Sequence, residues 1–394
     1  MEFNPFAPEV KQNPYPYYAH LRNHSPVYWV ESLQAWAVSR YEDVAYIAKN
    51  TQLFSSAPII PAILGELNPV PEVKWLISTD PPAHMPLRKL VNKAFTPRMV
   101  AALEPRIKQI AAQLLEGVEQ GADFDLVRDF STPLPMMVIA EMLGVDSERY
   151  RDFKRWSDDL MRMTGGAVAP TELERLRASV ADLSRYFAQV IEERRRNPKE
   201  DLITALVRAE EESQALSARE VLAMCLLLLI AGNETTTNLL GNTVVTLLSH
   251  PPEIAKVRAE LSLVPQMIEE MLRYLSPVQA IFRLATTDTE IAGSTIPAGS
   301  KVLILYGSAN RDERQFPDPD TFDLARNPQD HLGFGFGIHY CLGAPLARLE
   351  ARVAMDALLS RFPHLQRRDH QPLEWVDSFV IRGPKTLPLE IRRG

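Results

Sequence analysis

Cys341 stands in Phe334-Gly335-Phe336-Gly337-Ile338-His339-Tyr340-Cys341-Leu342-Gly343, directly ahead of Ala344-Pro345-Leu346-Ala347-Arg348, which reads as the opening of a helix. The chain has only two cysteines, and this one falls in a glycine-punctuated loop at a helix N-terminus. Orphan backbone N–H groups and the helix dipole favour negative charge at such a place, so a thiolate is expected. Gly335, Gly337 and Gly343 let the backbone turn sharply and lie close to a flat ligand. A thiolate so placed can be the axial ligand of a haem iron, where it favours O–O cleavage. The other cysteine, Cys225, lies in an apolar helical run and reads as core packing.

A second constellation is Ala231-Gly232-Asn233-Glu234-Thr235-Thr236-Thr237. A glycine, a carboxylate and three hydroxyls interrupt the most apolar stretch of the chain. Glycine in a helix costs about 1 kcal/mol relative to alanine, and a buried carboxylate costs more unless partnered. A structural reading has Thr235 bonding back to the carbonyl one turn earlier. The functional reading is a gap in the helix that makes room for a small oxidant and ordered water.

Glu270-Met271-Leu272-Arg273 places opposite charges at i, i+3 on one helical face; alone it is a weak signal, since most such pairs are solvated. His84 and Arg88 are i, i+4 neighbours after Asp80-Pro81-Pro82, two donors on one face that suit a carboxylate.

The elements that must position these residues are mostly helical. Ser217-Ala218-Arg219-Glu220 is a capping-box pattern, and the helix it opens runs to His250-Pro251, about 33 residues or roughly 50 Å. Helical periodicity dominates from Pro82 to about residue 214, and again from Pro252 to about Leu275 with a break near Pro265. Val27 to Val30 and Ala35 to Val38 read as a hairpin and Tyr41 to Lys49 as a short helix. Ser55 to Ser78 is apolar, proline-rich and aperiodic, as a long functional loop would be. Short strands are expected over Thr286–Tyr306 and a final β region over 372–392. The fold class is mainly α, with small peripheral sheets.

Bulk properties narrow the function. Of 394 residues, 43 are Lys or Arg and 50 are Asp or Glu, a net charge of −7 that argues against a general nucleic-acid binder. Two cysteines make no disulfide framework and fit a reducing cytosol. The N-terminus is neither a signal peptide nor an anchor, and the apolar run Val221 to Ala231 is too short to span a bilayer. Without a linker, repeat or low-complexity run, residues 1–394 read as a single domain.

The cysteine loop resembles the haem loop of the cytochrome P450 family, F-G-x-G-x-H-x-C-x-G, with every fixed position filled. The order A-G-x-E-T, the E-x-x-R pair and the cysteine loop follow one another as in that family, and the resemblance spans nearly the whole chain. It implies the cytochrome P450 fold, haem b (iron protoporphyrin IX) between the central helix and the cysteine-loop helix, and Cys341 as iron ligand. It implies haem contacts for Phe334, Gly335, Gly343 and Ala231, and propionate contacts for His84, Arg88, Arg283 and His339. Thr235 would hydrogen-bond dioxygen and Glu234 would help relay protons. Glu270 and Arg273 would support folding. Their usual third partner is an arginine in a P-E-R-F-like segment, which reads Pro319-Asp320-Thr321-Phe322 here, so Arg326 or Arg311 would take that role.

The implied activity is a soluble, cytoplasmic, monomeric monooxygenase that hydroxylates or epoxidises a hydrophobic small molecule of polyketide, terpenoid, steroid or fatty-acid type. Ile59, Ile60, Val70, Leu76, Met161, Met163, Leu228, Val278, Ile281, Phe282 and Val380 are the candidate pocket walls. The chain carries no flavin or nicotinamide fingerprint, so a ferredoxin and its reductase would supply electrons, with Lys89, Lys93, Arg98 and Arg348 as a basic docking patch. Two other readings stand beside this one. A peroxide-driven or non-oxygenating enzyme on the same fold is disfavoured by the Glu234–Thr235 pair; a non-catalytic haem sensor would need neither that pair nor an enclosed pocket.

Overall fold

The computed structural model describes residues 1–391 apart from 74, 119–122, 166–167, 214–215, 363 and 370. At its centre is the helix Ala218–Ser249, 32 residues long. Its N-terminus carries the full capping box: Ser217 accepts from the Glu220 amide, and the Glu220 carboxylate accepts from the Ser217 amide at 2.7 Å. Its length and composition alone would suit a membrane span, but 61% of its most apolar window is buried inside the molecule, the pattern of a core helix. The run Val221–Ala231 is thus a segment of a longer apolar helix.

Around it pack the helices Pro133–Leu143, Tyr150–Met161, Pro170–Arg196, Leu202–Ser213 and Ala344–Arg361. They share a hydrophobic cluster that draws on residues from Ile60 to Ile391. Two smaller clusters flank a five-stranded sheet. Its order is Val27–Val30, Ala35–Val38, Lys301–Ile304, Ile281–Ala285, Phe54–Ser55, with only the second and third strands parallel. Ile281 faces Ile304 and Arg283 faces Val302 across the antiparallel pair.

Three expectations need correction. The 55–78 segment is not one loop: Ile59–Leu64 is α-helical, and Gly65–Leu67 and Leu76–Ser78 are 3₁₀ turns. Each of these elements is only one or two turns long, too short to show a helical period. The break after Pro251–Ala259 falls at Glu260–Leu263, and Pro265 lies in the first turn of Val264–Tyr274, where its missing N–H costs nothing. The 372–392 stretch contributes one strand, Pro388–Ile391, plus isolated bridges Trp375–Pro384 and Val278–Ile381.

Candidate functional site

The cysteine loop is shaped by its glycines and tied by its own backbone. Gly337 takes φ +74°, and a β-carbon there would lie 3.0 Å from the Ala48 carbonyl oxygen, so no other residue fits without displacing the neighbouring helix. The Cys341 amide donates to the Phe334 carbonyl at 2.9 Å, closing the loop just before Ala344–Arg361 begins. Cys341 is half-buried. Burial pushes its thiol up, while the Gly343 and Ala344 amides and the charges of Arg88 and Arg348 pull it back only in part. The amides at the helix start favour the thiolate, as its position implies, but burial outweighs them; a bound metal ion would complete the deprotonation.

Four basic side chains from three elements converge here: His84 and Arg88 from one helix, Arg283 from a strand and His339 from the loop itself. His84 opens the helix His84–Asn92, is fully buried, and meets the His339 ring edge-on at 4.6 Å. Neither ring nitrogen of His84 has a partner. Arg283 is 1% exposed; its Nη1 donates to the Phe282 carbonyl at 2.9 Å, while Nε and Nη2 have no partner. Arg88 donates to the Tyr340 carbonyl at 2.8 Å, and His339 Nε2 lies 2.9 Å from Ser56 Oγ. Burial, reinforced by Arg283, His84 and Arg88, drives His339 down to about 3. Burial and then Arg88 lower His84 as well. Asp80, a carboxylate whose charge reaches His84 and Arg283, is engaged by Ser55 Oγ at 2.5 Å and the Ser56 amide at 2.9 Å.

Buried donors without acceptors cost about 1–3 kcal/mol each, and those beside a guanidinium call for an anion. The set fits the two propionate carboxylates of a haem whose iron faces Cys341.

On the central helix, Ala231 is exposed and Thr235 partly so, one turn apart on one face. Gly232 looks the other way: a β-carbon there would come within 3.2 Å of Ile139 Cγ1. Thr235 Oγ1 donates to the Ala231 carbonyl at 2.9 Å. The helix is continuous through 231–237, so the expected gap is absent and the back-bonded threonine is present. The hydroxyl oxygen still has lone pairs to offer toward the open face.

Glu234 points away, toward the helix Tyr150–Met161. It is 5% exposed, accepts from Ser157 Oγ at 3.2 Å and Asn233 Nδ2 at 3.1 Å, and pairs with Lys154 Nζ at 3.4 Å. Lys154 in turn meets Asp158. Burial pushes the Glu234 carboxyl up and Lys154 opposes it. Sequence reasoning missed Lys154 and Ser157; the Lys154–Asp158 spacing reads as an ordinary surface pair, and nothing local points to Glu234. It also missed Glu350, buried at 1% and pushed up to about 8 by burial, hydrogen-bonded to Thr236.

The Glu270–Arg273 pair is fully buried and bidentate, at 2.8 and 2.7 Å. The third partner is Arg326, whose Nε reaches Glu270 Oε1 at 3.2 Å. Arg311 instead stacks between the Tyr15 and Tyr274 rings and pairs with Asp320. Arg273 also ties down the carbonyls of Asn310, Pro319 and Thr321.

Of the expected pocket walls, Ile60, Val70, Leu76 and Leu228 share the main cluster, Ile59 and Val380 are buried, and Met161, Val278 and Ile281 are half-buried. Phe282 is not with them: strand alternation turns it to the opposite face from Ile281 and Arg283, where it packs with Phe3, Val10 and Phe379. The side chain of Met163 lies outside the described residues. In the expected basic patch Lys89, Lys93 and Arg98 are exposed, whereas Arg348 is bound to Glu269.

The family profile for cytochrome P450 matches residues 7–389. The structure of CYP109Q5 from Chondromyces apiculatus superposes with a TM-score of 0.91 at 47% identity, covering 100% of this chain and 98% of that one. CYP109E1 from Bacillus megaterium, solved in complex with testosterone, gives 0.88 at 39% identity over 98% and 99% of the two chains. The 6-deoxyerythronolide B hydroxylase of Saccharopolyspora erythraea is 39% identical over 389 residues, 95% of each chain. With a cysteine loop, buried unpartnered nitrogens on His84 and Arg283 beside it and an open Ala231–Thr235 face on one helix-rich scaffold, this chain belongs to the cytochrome P450 family, the haem b monooxygenases.

Proposed function

We propose that this enzyme hydroxylates or epoxidises a hydrophobic small molecule of polyketide, terpenoid, steroid or fatty-acid type, drawing electrons from an external ferredoxin and reductase. The observation that carries the reading is the set of buried, unpartnered nitrogens of His84 and Arg283 beside the Cys341 loop. Haem b, when bound, supplies the activation of O₂ and the oxidation of an unactivated carbon. Cys341 ligates its iron, and His84, Arg88, Arg283 and His339 hold its propionates. Phe334, Gly335 and Gly343 on one side and Ala231 on the other give it flat contact surfaces.

Thr235 can accept a hydrogen bond at Oγ1 while its own hydroxyl proton is directed to the Ala231 carbonyl, and so holds a water over the open face of the helix. Glu234 moves protons to that side; Lys154 and the 52%-exposed Asp158 link it to solvent. Ile59, Ile60, Val70, Leu76, Met161, Leu228, Val278, Ile281 and Val380 exclude water from the substrate. The names of two relatives, a hydroxylase of 6-deoxyerythronolide B and a protein crystallised with testosterone, support bulky, largely apolar substrates.

On the cysteine side, exposed Met85 and Met99 lie close in sequence to Lys89, Lys93 and Arg98, and exposed Phe336 and Tyr340 belong to the cysteine loop, which Arg88 joins to the helix His84–Asn92 through the Tyr340 carbonyl; an apolar centre with a basic rim suits an acidic electron donor. We take the enzyme to act as a cytoplasmic monomer. The test is a spectral titration with hydrophobic compounds, followed by turnover with a surrogate ferredoxin and reductase. A saturable spin-state shift and product that needs the electron donor are expected; product from peroxide alone would overturn the reading.

A further inference from the structure

The helix Val264–Tyr274 carries two consecutive carboxylates, about 100° apart around its axis, and they hold different partners. Glu270 holds Arg273 and Arg326. Glu269 turns to the cysteine loop and grips it on both sides. Ahead of the loop, His331 Nε2 lies 3.0 Å from Glu269 Oε2, while His331 Nδ1 accepts from the Gly333 amide at 3.1 Å; the ring is thereby fixed with its Nε2 proton toward the carboxylate. Behind the loop, Arg348 binds Glu269 bidentately, Nε to Oε1 at 2.6 Å and Nη2 to Oε2 at 2.8 Å.

The same guanidinium lies 4.5 Å over the Phe334 ring and donates to Tyr340 Oη at 3.2 Å. Phe334 is the residue whose carbonyl holds the Cys341 amide, and Tyr340 precedes Cys341 directly. At Gly333 a β-carbon would stand 2.7 Å from the Leu272 carbonyl oxygen, so the loop also presses its backbone onto this helix. Burial would raise the Glu269 carboxyl, but hydrogen bonds from Arg348 and His331 outweigh it and hold it at about 2, so the anion persists at neutral pH.

We propose that Glu269 is a positioning residue for the iron ligand: it clamps His331 and Arg348 around the Cys341 loop, fixes Phe334 and with it the Cys341 amide, and balances the Arg348 guanidinium stacked on that loop. This rests on the reading of Cys341 as the haem ligand.

The proposal is tested on purified, haem-loaded protein by two readouts. The first is the rate at which the thiolate-type reduced-CO band gives way to the thiol type; the second is the ferric/ferrous reduction potential. Losing a ligand-orienting partner should speed the band conversion about tenfold in Glu269→Gln. The potential should rise in Glu269→Gln, where the Arg348 charge is left unbalanced beside the electron-rich ligand, and fall in Arg348→Ala, where the carboxylate is left behind. Opposite signs are the signature that loss of packing would not produce. Glu269→Asp keeps the charge but shortens the reach, so it should speed conversion with little change in potential, and it serves if Glu269→Gln does not hold haem. A parental conversion rate in both Glu269 variants, or potentials that shift in the same direction in Glu269→Gln and Arg348→Ala, would overturn the proposal. Failure of the underlying reading looks different: the parent protein itself would show no thiolate band.

Discussion

Replacing Lys154 by methionine keeps the aliphatic stem and removes the cation paired with Glu234. At 3.4 Å the pair's Coulomb energy is about 5 kcal/mol at an effective dielectric constant of ~20 and about 1 kcal/mol in bulk water. The lysine side chain is 27% exposed and is shared with Asp158, so the lower half of that interval applies. A loss of about 2 kcal/mol near pH 8 is therefore expected for Lys154→Met.

The pH dependence has a definite sign. Burial already holds the Glu234 carboxyl above its ordinary value, and without Lys154 it rises further. Between the unfolded and folded values the folded variant keeps a proton that the unfolded chain has released, so its stability falls as pH rises through that interval. The penalty should shrink below about 1 kcal/mol near pH 5, where the carboxyl takes up a proton at less cost. The assay is urea unfolding of the haem-loaded parent, Lys154→Met, Glu234→Gln and the double variant at both pH values, with the coupling energy read from the cycle. In the Glu234→Gln background the lysine change should cost almost nothing. A penalty equal at both pH values, or one that persists in the Glu234→Gln background, would refute the pairing and with it the route from Glu234 to solvent.

The remaining predictions concern the scaffold. Arg326→Ala should cost about 1–3 kcal/mol by stripping a donor from buried Glu270, and in a double-mutant cycle it should couple to Glu270→Gln while Arg311→Ala should not; coupling by Arg311 alone would reverse the assignment. Gly232→Ala gains about 1 kcal/mol of helix propensity but crowds Ile139 at 3.2 Å, an overpacking cost of about 1–3 kcal/mol. A net loss is expected by thermal unfolding, and Gly232→Ala combined with Ile139→Ala should be less destabilised than the two singles added together. A stabilised Gly232→Ala would show that the helix pair separates freely.

Much of the architecture was legible because local rules decide it. The hairpin Val27–Val30 with Ala35–Val38, the helix Tyr41–Lys49 and the capping box at Ser217 all follow from short-range patterns, and all appear in the structure. The cysteine loop and the A-G-x-E-T stretch were legible because their glycines, hydroxyls and carboxylate are locally unfavourable in an apolar helical chain, so they stand out. What stayed hidden is tertiary. Lys154 reaches Glu234 across 80 positions, and Glu269 reaches Arg348 across 79, with no local sign of either. The choice between Arg326 and Arg311 depends on how residues 317–326 wrap back onto buried Glu270. Phe282 was misplaced because an apolar residue next to Arg283 is assigned a face only once the strand register with Lys301–Ile304 is known. The thiol of Cys341 was expected to be acidified by the helix start, but burial outweighs two backbone amides and two nearby cations.

The central claim is that Cys341 holds the haem iron as a thiolate. The most direct measurement is the reduced-CO difference spectrum of the purified protein beside that of Cys341→Ala. The account predicts a thiolate-type band in the parent and its complete loss in the variant, with the rest of the fold retained by circular dichroism. A variant that keeps the thiolate-type band would contradict it, because the only other cysteine, Cys225, is fully buried in the central helix.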